Sequence, residues 1–123
     1  MERALIVHGV WLDLILDGKK PWEMRSTKTS VRGTVGLIQS GTGLIMGKVD
    51  LVDCLGPIGL SEYSKYIEYH RIPKGLPGIR EKYKYPWVLE NPVRFTQPVS
   101  YNHPQGAVIW VKLSGDHICE ELT

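Results

Sequence analysis

Glycine and proline divide this chain into short segments, and that division restricts the fold more than any other feature of the sequence. The chain has 13 glycines and 8 prolines among 123 residues, and the apolar runs between them are short and have strand character. The longest apolar runs, such as residues 43–46, fall far short of the roughly 18 residues needed to cross a bilayer. We therefore expect a single domain with several short strands and no transmembrane segment.

The apolar periodicity of these segments predicts an α+β fold. Strands are predicted at residues 3–8, 22–26, 34–39, 44–52, 87–95 and 107–113, and helices at residues 10–17 and 61–69. Residues 40–43 read Ser-Gly-Thr-Gly, a composition typical of a hairpin turn. The resulting order, βαβββαββ with turn residues between short strands, favours a curled or closed sheet.

Gly18 marks the end of the first predicted helix, because glycine readily adopts the positive φ needed just past a helix C-terminus. Lys19 and Lys20 then lie near the negative end of the helix dipole, where a cation is favoured. Pro21 has no backbone N–H and cannot continue the helix. The residues after it are therefore expected to form an extended strand.

Residues 71–86 contain three prolines and two glycines, and this composition predicts a long irregular loop. Basic residues interleave with aromatic ones here, and they are Lys74, Arg80, Lys82 and Lys84 with Tyr83 and Tyr85. We expect the loop to be a flexible lid over residues 18–25, with its basic residues following a phosphate backbone. The alternative is an ordered surface loop whose lysines keep the protein soluble.

The charge of the chain is unevenly distributed, although its net value is only +2. One basic stretch comprises Lys19, Lys20, Arg25, Lys28 and Arg32, a second runs from residue 65 to residue 84, and the tail with Asp116, Glu120 and Glu121 is acidic. Local basic clusters can form a surface that faces phosphates. A solvated face without a ligand is the alternative explanation.

Cysteine and histidine are too sparse to indicate a disulfide framework or a metal site. Cys54 and Cys119 are expected to be reduced thiols of a cytoplasmic protein, and the N-terminal residues are not expected to form a secretory signal. The four histidines and two cysteines show no ligand spacing. We therefore expect neither a metal nor another cofactor.

Residues 18–25 carry the pattern Gly18-x-Lys20-x-x-Glu23-x-Arg25, which resembles the signature of the ASCH (activating signal cointegrator homology) domain family. Further segments are similar to that family in the same order: residues 5–16, 47–54, 87–92, 98–99 and 105–107. The resemblance covers nearly the whole chain. It implies one domain over residues 1–123 with the PUA-like fold, a small β-barrel flanked by two or three helices.

Members of that family hold RNA or a nucleoside-like ligand in a cleft at this motif, and they include acetylcytidine amidohydrolases and a ribonuclease. The resemblance therefore implies an RNA- or nucleotide-binding domain whose partner is RNA, a nucleoside or a nucleotide. It leaves open whether the domain also hydrolyses RNA or a modified cytidine. The alternative is a protein-interaction module with a degenerate, non-catalytic pocket. No membrane partner is expected, and the sequence does not indicate an oligomeric state.

Lys20, Glu23 and Arg25 are the candidate catalytic residues. A partly dehydrated lysine has a lowered pKa and becomes a usable general base, which is the role that the resemblance to the amidohydrolases implies for Lys20. Glu23 and Arg25 alternate along a predicted strand and share one face, either as an acid/base group beside an anchor or as a structural ion pair. Glu23 stands where the amidohydrolases have a nucleophilic threonine. A hydrolase with this sequence would therefore use water activated by Lys20 or Glu23.

Other residues near the motif and the basic loop are candidates for ligand binding. They are Lys19, Trp22, Lys28, Lys82, Lys84, Trp87 and Asn91. Trp87 lies next to the basic loop and is the preferred residue for stacking on a base, whereas Trp11, Trp22 and Trp110 are expected to be mainly buried. Asn91 either reads the edge of a base or forms a turn before Pro92.

Overall fold

The computed structural model describes residues 1–113. Asp116, His117, Cys119, Glu120 and Glu121 lie outside the described residues. The strands are β1 (Arg3–Val7), β2 (Trp22–Arg25), β3 (Gly33–Gln39), β4 (Leu44–Cys54), β5 (Tyr85–Ser100) and β6 (Trp110–Lys112). The helices are α1 (Gly9–Leu16), α2 (Leu60–Lys65), α3 (Ile67–His70) and α4 (Ile79–Lys82). No helix in this part of the chain is long and apolar enough to span a membrane.

The described strands form one mixed sheet in the order β2-β5-β4-β3-β1-β6. β1 runs parallel to β3, with Leu5 opposite Leu37, and the other neighbours pair in antiparallel fashion. The turn at residues 40–43 joins β3 to β4, as the sequence predicts. β2 and β6 are the edge strands, so residues 18–25 lie at one margin of the sheet.

The sheet curls so that strands distant in its order face each other. Trp87 of β5 stacks on Trp110 of β6, with the ring centroids 5.8 Å apart and the ring planes inclined by 12°. Nη2 of Arg25 in β2 donates a hydrogen bond of 2.7 Å to the carbonyl oxygen of Ile6 in β1. The sheet is therefore a half-barrel whose margins approach each other beside the motif.

The interior of the half-barrel is an apolar core covered by α1, which contributes Leu12, Ile15 and Leu16. The buried strand residues of this core are Leu5, Val7, Val35, Leu37, Val49, Leu51, Trp87 and Leu89. Gly47 of β4 permits the close approach of α1, because a Cβ at this position would overlap Leu16 and the carbonyl oxygen of Val93. The helix that precedes the motif is thus packed directly against the sheet.

A second apolar cluster lies on the other side of β2. Trp22 and Met24 of β2 pack there with Ile58, Tyr63 and Ile72, and all five residues are buried. Because side chains alternate along a strand, this cluster occupies the face of β2 opposite to Glu23 and Arg25. The helical segment from α2 to α4 is held to the sheet through this face.

The predicted elements are confirmed, with changes in their extent. The predicted helix at residues 61–69 is two helices, since Tyr66 leaves helical geometry at φ −106° and ψ 28°. The expected loop at residues 71–86 contains α4 and the start of β5, so the described chain has four short helices. β5 continues through Pro92 and Pro98 because this part of the strand pairs with β4 alone. Its other edge therefore needs no N–H donor at the two prolines.

Candidate functional site

The turn after α1 sets the direction of the residues that enter β2. Gly18 adopts φ 77°, and the N–H of Lys20 donates a hydrogen bond of 3.1 Å to the carbonyl oxygen of Leu14. The carbonyl oxygen of Pro21 accepts a hydrogen bond of 2.7 Å from the N–H of Leu89 in β5. The helix end predicted at Gly18 is confirmed, and the turn directs the Lys20 side chain inward.

Lys20 is a buried cation, with only 1% of its surface exposed. Its Nζ donates a hydrogen bond of 2.5 Å to the carbonyl oxygen of His70, lies 3.8 Å from Oε1 of Glu23 and stands 5.0 Å from the centroid of the Trp11 ring. Burial lowers the pKa of Lys20 from 10.5 to about 8, and the charge of Glu23 only partly opposes this shift. A buried ammonium costs less to deprotonate than an exposed one.

Glu23 and Arg25 form an ion pair on the same face of β2. Nε and Nη2 of Arg25 donate hydrogen bonds of 3.0 and 2.9 Å to the same oxygen of Glu23, Oε2. No side chain among the described residues donates a hydrogen bond to Oε1 of Glu23, and Nη1 of Arg25 donates to none of them. The pair therefore keeps one acceptor and one donor group available to a ligand.

His70 connects Lys20 to the helical segment and was not predicted from the sequence. The imidazole is fully buried. Its Nδ1 accepts a hydrogen bond of 2.9 Å from the N–H of Ile72, so the ring proton lies on Nε2, which donates to the carbonyl oxygen of Tyr63 at 2.5 Å. Burial lowers the pKa of His70, and the ring is accordingly a neutral structural group.

A cavity of about 540 Å³ opens beside the charged residues, and Lys20, Glu23 and Arg25 all line it. Its apolar and aromatic wall residues include Ile6, Trp11, Ile72, Ile79, Tyr83 and Ile109. The exposed polar residues at the cavity are His8, Ser26, Thr27, Ser40 and Lys82. Three charged groups thus lie at the base of a largely apolar cavity with polar residues at its mouth. We call this space the motif cavity.

The structure brings some predicted site residues together and separates others. Lys20, Glu23, Arg25 and Lys82 line the motif cavity. Lys19, Lys28 and Lys84 are exposed and are not among the lining residues. The basic residues of the sequence therefore do not form one continuous wall of the cavity.

Several polar residues at the mouth of the cavity are not predicted from the sequence, and they lie directly after strands. His8 follows β1 and Ser40 follows β3, and the parallel pairing of these strands, with Val7 opposite Gln39, brings them side by side. Ser26 likewise follows β2. For His8 and Ser40 the available signal is a polar residue immediately after each strand, since parallel neighbours end at the same edge of a sheet.

Trp87 lines the motif cavity as a site residue, but it is too deeply buried for the predicted stacking on a base. Trp87 is only 2% exposed, and its indole N–H donates a hydrogen bond of 2.9 Å to the carbonyl oxygen of Thr27. One side of its ring is occupied by Trp110, and the guanidinium of Arg25 lies 5.6 Å from its centroid. The curl of the sheet makes this tryptophan a core residue. Trp22 is also buried, as expected, whereas Trp11 and Trp110 are half-buried.

Asn91 does not belong to the motif cavity. It adopts φ 53° within β5, and its side chain donates a hydrogen bond of 2.9 Å to Asp50 of β4. The pairing between β4 and β5 changes register between Lys48 and Asp50, which is the mark of a β-bulge. Asn91 therefore lies in a β-bulge of β5 rather than in a turn, and it is not among the residues that line the motif cavity.

Residues 71–86 are anchored to the rest of the fold at several points. Arg80 donates hydrogen bonds of 2.7 Å to the carbonyl oxygen of Ile72 and 3.1 Å to Oγ of Ser64. The hydroxyl of Tyr63 donates to the carbonyl oxygen of Tyr83 at 2.5 Å. These contacts favour the alternative of an ordered surface loop over that of a flexible lid. The segment nevertheless forms one wall of the motif cavity.

The described residues contain no group of three or more histidine, cysteine, aspartate or glutamate residues arranged to hold a metal ion. Cys54 is a half-buried free thiol. Lys20, Glu23 and Arg25 at the motif cavity are instead paired with each other.

The family comparison agrees with the geometry of the motif. The model of the ASCH domain matches residues 5–99 of the chain. The chain belongs to the ASCH domain family. ASCH domains are associated with RNA binding. No match to this ASCH domain is found among curated proteins.

Solved structures of ASCH proteins share the fold of this domain. The crystal structure of ASCH from Zymomonas mobilis is 13% identical, covers 94% of this chain and 89% of that chain, and has a TM-score of 0.69. A serine-to-alanine mutant and a tyrosine-to-phenylalanine mutant of that protein are also 13% identical, cover 94% of this chain and 89% and 91% of those chains, and have TM-scores of 0.68. The predicted α+β PUA-like fold is confirmed.

Proposed function

We propose that this ASCH domain binds RNA by holding one nucleoside unit in the motif cavity. The observation that carries the proposal is the arrangement of Lys20, Glu23 and Arg25, which are paired with each other but still offer unused hydrogen-bonding atoms to the cavity. A volume of about 540 Å³ lies within the range of about 300–1,000 Å³ that is typical of small-molecule sites.

The hydrogen-bonding positions that remain open on Glu23 and Arg25 suit the edge of a base better than a phosphate. Oε1 of Glu23 accepts hydrogen bonds, and Nη1 of Arg25 donates them. A phosphate has acceptors only and would face the negative charge of Glu23 at close range. The edge of a nucleobase presents a donor next to an acceptor and matches both groups. The base would therefore occupy the floor of the cavity.

The walls and mouth of the cavity suit the rest of a nucleotide. Trp11 and Tyr83 provide aromatic surface at the cavity, and aromatic rings stack on bases with about 1–3 kcal/mol per base. Lys82 is exposed at the same cavity, where its ammonium would meet a phosphate. The proposal therefore places the base inside and the backbone at the mouth.

Titrating the protein with the four nucleoside monophosphates and with a short single-stranded RNA tests this proposal. Saturable binding is expected at low salt, and RNA binding should weaken steadily as salt rises. Glu23→Gln should weaken monophosphate binding about tenfold or more, because it removes a charged acceptor. Lys84→Ala, which lies outside the cavity, is the matched control. Absence of binding to every monophosphate and to RNA, or unchanged affinity in Glu23→Gln, would contradict the proposal.

A second candidate function is hydrolysis of an amide or phosphodiester bond in the same cavity. The observation that favours it is the pKa of Lys20, which burial lowers to about 8. At that pKa a useful fraction of the amine is neutral near physiological pH, and it can accept a proton from an attacking water. Arg25 would then stabilise negative charge that develops on the substrate.

The hydrolytic candidate is tested by incubating the protein with acetylcytidine and, separately, with labelled RNA. Turnover should rise with pH through about 8 as Lys20 loses its proton. Lys20→Met should abolish turnover, while Lys19→Met, at an exposed neighbouring position, should not. Absence of turnover of both substrates, or equal rates in both variants, would leave the domain as a binding module.

A further inference from the structure

Three aromatic rings form a continuous cluster that packs against β2 and lies outside the residues that line the motif cavity. Trp22 stacks on Tyr69 with the ring centroids 4.8 Å apart and the planes inclined by 27°. Tyr66 lies 5.2 Å from Trp22 and 6.1 Å from Tyr69, centroid to centroid. We call Trp22, Tyr66 and Tyr69 the outer aromatic cluster.

Tyr69 is the accessible member of this cluster. It is 46% exposed, whereas Trp22 is 8% exposed. One face of the Tyr69 ring is covered by Trp22 and one edge is approached by Tyr66, so the exposed area belongs mainly to the opposite face. The buried tryptophan holds the tyrosine ring in place and leaves a flat, ordered aromatic surface open to solvent.

One lysine contacts the cluster, and two further basic residues lie close to its members along the chain. Nζ of Lys65 lies 5.5 Å from the centroid of Tyr66. Nε of Arg71 donates a hydrogen bond of 2.8 Å to the carbonyl oxygen of Lys19, which keeps these two exposed basic residues adjacent. Glu68 is exposed in the same helix, but residues that are neighbours in a helical sequence point in different directions. An accessible ring with a lysine on the neighbouring ring matches the chemistry of a single nucleic-acid strand.

The cluster is joined to the motif cavity through two short connections. Trp22 and Glu23 are consecutive residues of β2, so their side chains project to opposite faces. Tyr69 precedes His70, whose carbonyl oxygen accepts the hydrogen bond from Lys20. The two sites are therefore linked through β2 and through the C-terminal end of α3.

We propose that the outer aromatic cluster is a second contact site for a single-stranded RNA, in which another base of the strand that enters the motif cavity stacks on Tyr69. The inference rests on the proposed RNA-binding function and extends it to a strand of several nucleotides. Lys65 and Arg71 face the phosphates on either side of the stacked base. The two sites together select a flexible single strand, since a base in a duplex cannot leave its partner to stack on the protein without loss of pairing.

The test compares a nucleoside monophosphate with a single-stranded RNA of about eight nucleotides. Tyr69→Leu removes the ring but keeps an apolar side chain against Trp22. It should weaken binding of the RNA about five- to a hundredfold, because one stacked base is lost, and leave the affinity for the monophosphate unchanged. Tyr69→Phe retains the ring and should bind the RNA within about twofold of the unaltered protein.

A salt series gives a second readout that does not depend on the tyrosine. Lys65→Ala should lower the slope of log affinity against log salt by about one for the RNA. Lys112→Ala, on β6 at the other margin of the sheet, should leave the slope unchanged. Equal slopes in the two lysine variants, together with an unchanged affinity of Tyr69→Leu, would overturn the inference.

The outcomes separate this inference from the proposed function. If Glu23→Gln weakens binding of both ligands and Tyr69→Leu weakens neither, the cavity binds a nucleoside and the second site is refuted. If Tyr69→Leu weakens RNA binding and Glu23→Gln has no effect on either ligand, the second site stands and the proposal for the cavity fails. Loss of RNA affinity in Tyr69→Leu with unchanged monophosphate affinity supports the inference.

Discussion

The two sides of β2 stabilise the domain in different ways, although both are formed by side chains of one four-residue strand. On the inner side, Lys20 and Arg25 both pair with the carboxylate of Glu23 beside the motif cavity. On the outer side, Trp22 and Met24 pack in an apolar cluster with the helical segment. Alternation along a strand assigns the residues to the two faces, and each face is complete only with partners from distant parts of the chain.

This difference determines how each side responds to change. The inner charges depend on Glu23, because its removal leaves Lys20 and Arg25 buried without a counter-charge. The apolar cluster around Trp22 and Met24 depends mainly on shape and apolar area, and its titratable member Tyr63 responds to pH only in the alkaline range. The motif thus combines a side suited to polar recognition with a side that attaches the edge strand to the helices.

The largest expected effect comes from removing the central charge of the inner side. Glu23→Leu should lower the free energy of unfolding by about 3–5 kcal/mol, since Lys20 and Arg25 would then face each other in a buried site. Denaturant unfolding measures this loss. A triple variant, Lys20→Met, Glu23→Leu and Arg25→Met, should recover most of it. If the triple variant is no more stable than the single one, mutual neutralisation does not explain the inner side.

The next effect is a rise of stability with pH that comes from Lys20 on the inner side. Lys20 has a pKa of about 8 in the folded protein and an ordinary value of 10.5. Between these values the unfolded chain binds more protons, so stability should rise with pH, by at most about 3 kcal/mol. Burial raises the pKa of Tyr63 from 10.0 to about 12, which lowers stability above pH 10, so the rise is measured between pH 8 and 10.

The control for the pH dependence uses two adjacent lysines. Lys20→Met should remove the rise, and Lys19→Met should preserve it, because Lys19 is exposed. Denaturant midpoints at several pH values in that window provide the comparison. A rise that persists in Lys20→Met would have to come from another group, and the low pKa of Lys20 would be refuted.

A smaller effect distinguishes the two tryptophans on opposite sides of the sheet. Trp87 lies opposite Glu23 and donates a hydrogen bond to Thr27, whereas Trp22 is held by ring packing. Trp87→Phe should therefore cost about 0.5–1.5 kcal/mol more stability than Trp22→Phe. Thermal unfolding of both variants measures the difference. Equal losses would show that the indole hydrogen bond adds nothing to packing.

The smallest effect concerns the mouth of the cavity. Lys82 lines it and Lys84 does not, so Lys82→Ala should weaken RNA binding severalfold and lower the salt slope by about one. Lys84→Ala should change neither quantity. A salt series with both variants decides between them, and equal effects would show that the strand follows the whole basic segment rather than the cavity.

Local sequence was sufficient to predict the helix end at Gly18, the extended strand after Pro21 and the common face of Glu23 and Arg25. Each of these features depends on residues a few positions apart, through backbone geometry and the alternation of side chains. The pairing of Arg25 with Glu23 likewise follows from their spacing. The element order and the α+β class could be read for the same reason.

The structure decided the features that depend on residues far apart in the chain. Lys20 is bound by the carbonyl oxygen of His70, 50 positions away, so its burial has no local signal. Trp87 became a core residue because the curl of the sheet brings Trp110 onto its ring. His8 and Ser40 meet because β1 and β3 pair in parallel. Sequence alone thus determined which side chains share a face, while tertiary contacts decided which faces are buried and which remain open to a ligand.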